Sequence, residues 1–194
     1  VIAGLLLAAG GSRRFGSQKL VAMLDGVPLV RHAAMSLARS TDALVIVLGH
    51  EAETVRAALS DVDAAVVRNP DWSQGLSSSV KCGVAALPPG VDAIVVALGD
   101  QPRIDPLVVR SLIECWRASG KPIVSARYRG ERGHPVLFDR AVFSQLEVLR
   151  GDVGARTMFE QSPELVAYVD VDNPVPVDVD TPTDLAAVDT GRSP

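Results

Sequence analysis

The sequence predicts one three-layer α/β/α domain built on a mostly parallel sheet of about seven strands, one of them antiparallel. Three observations predict it. Short β-rich runs alternate with longer segments of helical spacing, the pattern of βαβ crossovers. The strand segments read as near-continuous apolar runs, as expected when helices cover both faces of a sheet. The 194 residues are 47% hydrophobic and 22% charged, a balance that builds a full core in one domain of ordinary size.

Each element has its own reason. Val1–Leu7 is a continuous apolar run and reads as the first buried strand. Leu29–Ala38 has helical spacing. Ala43–Leu48 is a second apolar strand, followed by a helix over Glu51–Leu59. Ala64–Val67 reads as a third strand, and Ser77–Ala86 as a helix opening after a glycine-bearing loop. Ala93–Leu98 is the most apolar strand of all. Pro106–Ser119 begins on proline and stops at Gly120, the asymmetry of a helix with a defined start and end. Pro122–Ala126, the short Val136–Phe138 and Leu165–Val169 complete the strands. The last helix spans Thr181–Val188, with Thr181 or Thr183 as N-cap. The domain is expected to cover residues 1–188, with Asp189–Pro194 a polar, frayed tail.

Composition excludes several functions. Aromatic residues are 4% of the chain and the net charge is -4. A binder of nucleic-acid polymers needs stacking platforms and a basic groove, and docking on anionic membranes needs positive charge. Two cysteines are too few for a disulfide scaffold or a four-cysteine zinc site, and they suit a reducing cytoplasm, the expected location. No apolar run approaches the roughly 20 residues of a spanning helix. The opening Val1–Gly10 lacks a charged leader and is not expected to be a signal peptide.

In open α/β sheets ligands bind beyond the carboxyl ends of the strands, so chemistry is expected just after Leu7, Val67 and Leu98. The first loop reads Leu7-Ala8-Ala9-Gly10-Gly11-Ser12-Arg13-Arg14-Phe15-Gly16-Ser17-Gln18-Lys19. Small residues let backbone N–H groups close around phosphate oxygens, and Arg14 and Lys19 add a fork and a point charge. Leu20 follows Lys19, so this is not a G-x-x-x-x-G-K-[ST] loop. After the third strand, Asn69-Pro70-Asp71-Trp72-Ser73-Gln74-Gly75 leads into a serine run, Ser77 to Ser79, that opens a helix. Helix N-termini attract anions; one capping serine would be ordinary, whereas three serines plus a glycine exceed it. After the fourth strand come Gly99-Asp100-Gln101-Pro102. A carboxylate at the end of a buried strand suits Mg²⁺, although Asp also caps turns.

The first stretch matches L-A-A-G-x-S-x-R-x-G-x-x-K. It resembles the MobA-like NTP transferases, and within them most closely the CTP:molybdopterin cytidylyltransferases. The resemblance runs from Leu5 to Leu185. It implies a Rossmann-like nucleotidyltransferase fold and a loop, Leu7 to Ser12 with Arg14 and Lys19, that wraps a nucleoside triphosphate. Ala9 and Phe15 lean toward CTP, because guanylyltransferase relatives carry glycine and often methionine there. The segment from Asn69 resembles N-P-x-W-x-x-G-x-x-x-S, which holds the base and ribose, with Gly75 and Ser79 as preferred contacts; a lone tryptophan such as Trp72 is more often a packing residue. The D-Q-P string implies metal binding by Asp100, with Gln101 and Pro102 toward the acceptor. Gly133-His134-Pro135-Val136-Leu137-Phe138 and Gly151-Asp152-Val153-Gly154-Ala155-Arg156 resemble acceptor-side motifs. There His134 would meet the pterin, and Asp152 and Arg156 either pair with each other or place Arg156 on the acceptor phosphate. Asp178-Val179-Asp180-Thr181-Pro182-Thr183-Asp184-Leu185 resembles the family ending D-I-D-T-P-E-D-L. Asp178 or Asp180 would complete the metal site, and Asp184 would cap the last helix.

The implied reaction is CMP transfer from CTP to the terminal phosphate of molybdopterin, with pyrophosphate released. Lys19, Arg14 and Asp100 would be catalytic, and Mg²⁺, or Mn²⁺ in its place, would be the cofactor. A molybdenum hydroxylase is the implied protein partner. The alternatives are a guanylyltransferase or another NTP:phosphate nucleotidyltransferase of the same fold, and a non-enzymatic chaperone that inserts molybdenum cofactor.

Overall fold

The computed structural model describes residues 1–12, 14–151 and 156–189. In chain order the elements are β1 (Ile2–Ala8), β2 (Met23–Leu24), β3 (Val27–Pro28), α1 (Leu29–Ala38), β4 (Ala43–Leu48), α2 (Ala52–Ala57), β5 (Ala65–Arg68), α3 (Leu76–Ala85), β6 (Ala93–Leu98), α4 (Pro106–Ser119), β7 (Ile123–Tyr128), β8 (Glu131–Asp139), α5 (Phe143–Glu147), α6 (Arg156–Gln161), β9 (Val166–Val171) and α7 (Pro182–Asp189). Seven strands form one sheet in the order β5-β4-β1-β6-β8-β7-β9. Only β8 runs against its neighbours, pairing antiparallel with both β6 and β7. The mostly parallel seven-stranded sheet is therefore the one expected.

Side chains that alternate along the strands feed two apolar layers. Leu6, Ala8, Ile46 and Leu48 face Val30, Ala33 and Leu37 of α1, Val55 of α2 and Val109 and Leu112 of α4. Leu5, Leu7, Val45 and Val47 face Val80 and Val84 of α3, Leu146 of α5 and Met158 of α6. Burial on both sides explains why β1, β4 and β6 carry almost no polar residue. Helix α4 shows its sequence signals directly. The Asp105 side chain accepts from the Leu107 amide at 2.8 Å, and Gly120 closes the helix at φ +62.

A third, small cluster decides where the site sits. Leu24, Leu29, Val179 and Val188 are buried together, with Phe15 and Leu185 packed on them. This apolar knot pins the segment before α7 under the first loop, and the Val179 amide donates to the Asp100 carbonyl at 3.0 Å. Residues 178–180 belong to no strand. Val179 is buried in the knot, while Asp178 and Asp180 on either side of it reach Gln101 and Lys19.

Four local features differ from the sequence reading. Strand β8 starts at Glu131, whereas the sequence predicts a start at Val136 because Gly133, His134 and Pro135 are poor strand formers. The ladder tolerates them through a register shift: Ser125 pairs with Val136 and Ala126 with Gly133, leaving His134 and Pro135, joined by a cis peptide bond, outside the pairing. The hairpin β2–β3 escaped notice although it carries an Asp25-Gly26 turn with both residues at positive φ. The short helices α5 and α6 lack a long periodic signal. Helix α7 runs through Asp189, which moves that residue out of the expected tail; residues 190–194 lie outside the described residues. Among the described residues, no helix is long and apolar enough to cross a membrane.

Candidate active site

The first loop leaves β1 at Ala8 and closes on itself through two side chains. The Ser12 hydroxyl donates to Gln18 Oε1 at 2.9 Å and accepts from the Lys19 amide at 3.1 Å. Gln18, only 5% exposed, also donates to the His50 carbonyl at 3.0 Å. Gln18 thus ties the loop to the end of β4, a role no sequence signal revealed. A side chain at Gly10 would meet nothing within 4 Å, so the protein's own packing does not demand glycine there. The cleft of about 450 Å³ beside the loop is bounded by Ala9 to Ser12, Gly75, Ser79 and Asp100, among others.

Four charged side chains converge at one end of this cleft. Lys19, 6% exposed, donates to Asp100 Oδ2 at 2.7 Å and to Asp180 Oδ1 at 2.8 Å. Arg14, which reaches in from solvent, donates to the other oxygen of Asp180 at 2.6 Å. Burial alone would lower the Lys19 pKa, but the Asp100 and Asp180 carboxylates outweigh it and hold the ammonium above its ordinary value. Asp178 is separate: its Oδ1 accepts from Gln101 Nε2 at 2.7 Å. Burial first, then the neighbouring carboxylates, push the Asp178 pKa up. Of the two aspartates offered by the sequence as partner to Asp100, Asp180 is the one that shares a cation with it.

The remaining expected residues fall into three groups. Ser79 borders the cleft, and Asn69 lies behind it. The Asn69 amide donates to Ser78 Oγ at 2.9 Å and Ser79 Oγ at 3.0 Å, while its oxygen accepts from the Asp71 amide. Asn69 is therefore occupied in holding the turn and the start of α3. His134 and Arg156 border a second cavity of about 530 Å³, which shares Leu7 and Leu76 with the cleft and is walled by Val80, Val96, Val136 and Phe138. Pro102 turns instead toward a groove with Arg31 and His32, because the chain after Gln101 bends away to enter α4. Asp152 lies outside the described residues, and the ion pair that Arg156 makes is with Glu160, one helical turn on, at 3.0 Å. Asp184 caps α7: its Oδ2 accepts from the Thr181 amide at 2.7 Å and its own amide donates to Thr181 Oγ1, a reciprocal capping pair.

His134 carries a measurable consequence. Burial pushes its pKa down to about 4 from 6.5, against a weak opposing pull from Asp100. The folded protein holds the ring neutral, so the unfolded chain takes up a proton first as pH falls. Stability from this group is fully present above pH 6.5 and is lost as pH falls through about 4. His134→Gln is expected to flatten the acid limb of a melting-temperature profile across that window; an unchanged limb would contradict the burial.

Among the described residues, no group of three or more His, Cys, Asp or Glu side chains is arranged as a ready metal cage. Magnesium does not require one, since it is commonly held by one or two carboxylates plus substrate phosphates. Asp100 and Asp180, which both accept from the Lys19 ammonium, are the carboxylates that could hold such an ion.

The family model for the MobA-like NTP transferase domain matches residues 4–166, which takes in the loop, the serine turn and Asp100. The chain belongs to the MobA-like NTP transferase family. It is a nucleotidyltransferase of that family. Nicotine blue oxidoreductase of Paenarthrobacter nicotinovorans is 36% identical over 93% of this chain and 92% of that protein. The crystal structure of Rv0371c from Mycobacterium tuberculosis superposes with a TM-score of 0.88 at 32% identity, covering 97% of each chain. A structure of Rv0371c in complex with manganese matches at TM-score 0.83 and 31% identity, over 96% of this chain and 97% of that one. In this MobA-like transferase the charged cleft lies just beyond the ends of β1 and β6.

Proposed function

We propose that this transferase moves CMP from CTP to the terminal phosphate of molybdopterin, releasing pyrophosphate. One observation carries the reading: phosphate-type cations and metal-type carboxylates meet in one place, Lys19 and Arg14 on Asp100 and Asp180. The loop from Ala9 to Ser12 would cradle the triphosphate with its amides. Lys19 and Arg14, neutralised by carboxylates in the free protein, would exchange those partners for phosphate oxygens. Asp100 and Asp180 would hold the Mg²⁺, or Mn²⁺, that travels with the nucleotide; that Rv0371c forms a complex with manganese supports a divalent ion as cofactor. When bound, such an ion neutralises charge on the α-phosphate and on the leaving pyrophosphate. A phosphate monoester is already ionised near neutral pH, so no dedicated base is needed and the protein's work is charge neutralisation and in-line positioning. The cavity with His134 and Arg156 adjoins the cleft and would seat the acceptor, its apolar walls under the pterin and Arg156 toward the phosphate. A molybdenum hydroxylase would take the product, and the cytoplasm would be the setting.

The test is an activity matrix of nucleoside triphosphates against acceptors, with molybdopterin included and pyrophosphate release as the readout. CTP with molybdopterin is expected to exceed every other pair. Equal or better transfer from GTP would overturn the reading of Ala9, and CMP transfer only to another phosphate would overturn the acceptor. A second reading follows from the apolar walls of the acceptor cavity and the name of one relative: reduction of a flat heteroaromatic compound with a nicotinamide nucleotide in the cleft. Oxidation of NADH or NADPH on adding such a compound, with no pyrophosphate release from any triphosphate, would favour it.

A further inference from the structure

We infer that Trp72 is the stacking platform for the nucleobase. This rests on the nucleotidyl-transfer reading and assigns a residue that the phosphate and metal machinery leaves unused. Trp72 packs into none of the three described apolar clusters, whereas Trp116 packs against the layer under α1 and α4. It is half-buried instead and lines the cleft together with Gly75 and Ser79. In a chain so poor in aromatics, a large ring withheld from the core and placed against a ligand cleft needs a reason.

Three constraints hold it there. Gly49, at the end of β4, permits the approach: a side chain on Gly49 would lie 2.6 Å from both the Ala9 carbonyl and Trp72 Cβ. The His50 ring meets the indole at 5.1 Å between centroids, tilted by 50°. Asn69 fixes the turn just before it by accepting from the Asp71 amide at 2.9 Å. The ring is thereby pre-placed and loses little freedom on binding. Stacking on an aromatic face is tolerant of base identity, because every base has a π-face. Trp72 would therefore supply affinity for the base end, while choice among bases falls to hydrogen bonds from the loop at Ala9 to Gly11.

The test uses the full chain and two probes, CTP and inorganic tripolyphosphate, each with Mg²⁺ present. CTP is expected to quench tryptophan emission; tripolyphosphate, which has no base, is expected to bind without that quench. Trp72→Phe, which keeps Trp116, should lose the quench yet retain most of the CTP affinity. Trp72→Ala should weaken CTP binding measured by calorimetry by about tenfold or more, raising KM while leaving kcat and tripolyphosphate affinity unchanged. A merely structural tryptophan would instead lower kcat and tripolyphosphate binding together, through a shift of Gly49 and the phosphate loop at Ala9 that meets it. Trp72→Ala with wild-type CTP affinity overturns the platform alone. Wild-type protein that binds no CTP overturns the nucleotide reading and the platform with it.

Discussion

Asp100→Ala is expected to reduce metal-dependent pyrophosphate release by at least ~10²–10³-fold, the usual cost of losing one contact to developing charge, while the protein stays folded. The fold should survive because the Asp100 carboxylate is partly open to solvent and Lys19 keeps its second partner, Asp180, at 2.8 Å. Backbone anchoring is untouched, since it is the Asp100 carbonyl, not its side chain, that receives the Val179 amide. Circular dichroism and melting temperature close to wild type, together with lost turnover, are the expected pair of results. Near wild-type turnover of pure Asp100→Ala in saturating Mg²⁺ or Mn²⁺ would sink the metal assignment.

Lys19→Met should be as damaging to activity and, unlike Asp100→Ala, should also destabilise the protein. Removing the ammonium leaves Asp100 and Asp180 without their shared cation, with Asp178 close by. Taking away one partner of a largely buried pair commonly costs about 3–5 kcal/mol, and the retained pairing of Asp180 with Arg14 should keep the loss at the lower end. The cost has a pH signature: the raised Lys19 pKa contributes stability that is fully present below 10.5 and is lost only in more alkaline solution, so the deficit of Lys19→Met should shrink as pH rises beyond that. Lys19→Met should also bind Mn²⁺ in the absence of nucleotide more tightly than wild type, because the ammonium no longer competes for the Asp100–Asp180 pair. A variant that is inactive yet equally stable, with unchanged Mn²⁺ affinity, would show that the lysine serves phosphate alone.

In the free protein the cations proposed to meet phosphate and the carboxylates proposed to hold metal neutralise one another. On that proposal neither a bare metal ion nor a bare triphosphate would gain much by breaking the network, whereas the two together would replace every ion pair they disrupt. That arrangement would favour a metal–nucleotide complex over either component, and it keeps the carboxylates tolerable in one half-buried cleft.

Most of the sheet was legible in the amino-acid order because burial on both faces makes β1, β4 and β6 continuous apolar runs, and Pro106 and Gly120 mark both ends of α4. The glycine loop, Lys19 and Asp100 were legible for a related reason: a strand end followed by small residues and a lone charge has few structural uses. Less was visible where three-dimensional neighbours override local preference. Strand β8 contains Gly133 and Pro135 yet forms, since pairing with β6 and β7 on both sides outweighs poor propensity. Nothing in the local sequence distinguishes Asp178 from Asp180. Their roles separate only because Gln101 captures the first, leaving the second to Lys19. Likewise Gln18, Gly49 and His50 have no motif of their own; they matter because the end of β4 lies against the first loop. The sequence alone determined the fold class, the loop that borders the cleft and the identity of the charged groups, all properties of contiguous segments. The tertiary structure decided which aspartate joins Asp100, what Lys19 holds before substrate arrives and why Trp72 stays out of the core, because each depends on segments separated by tens of residues and brought together only by packing.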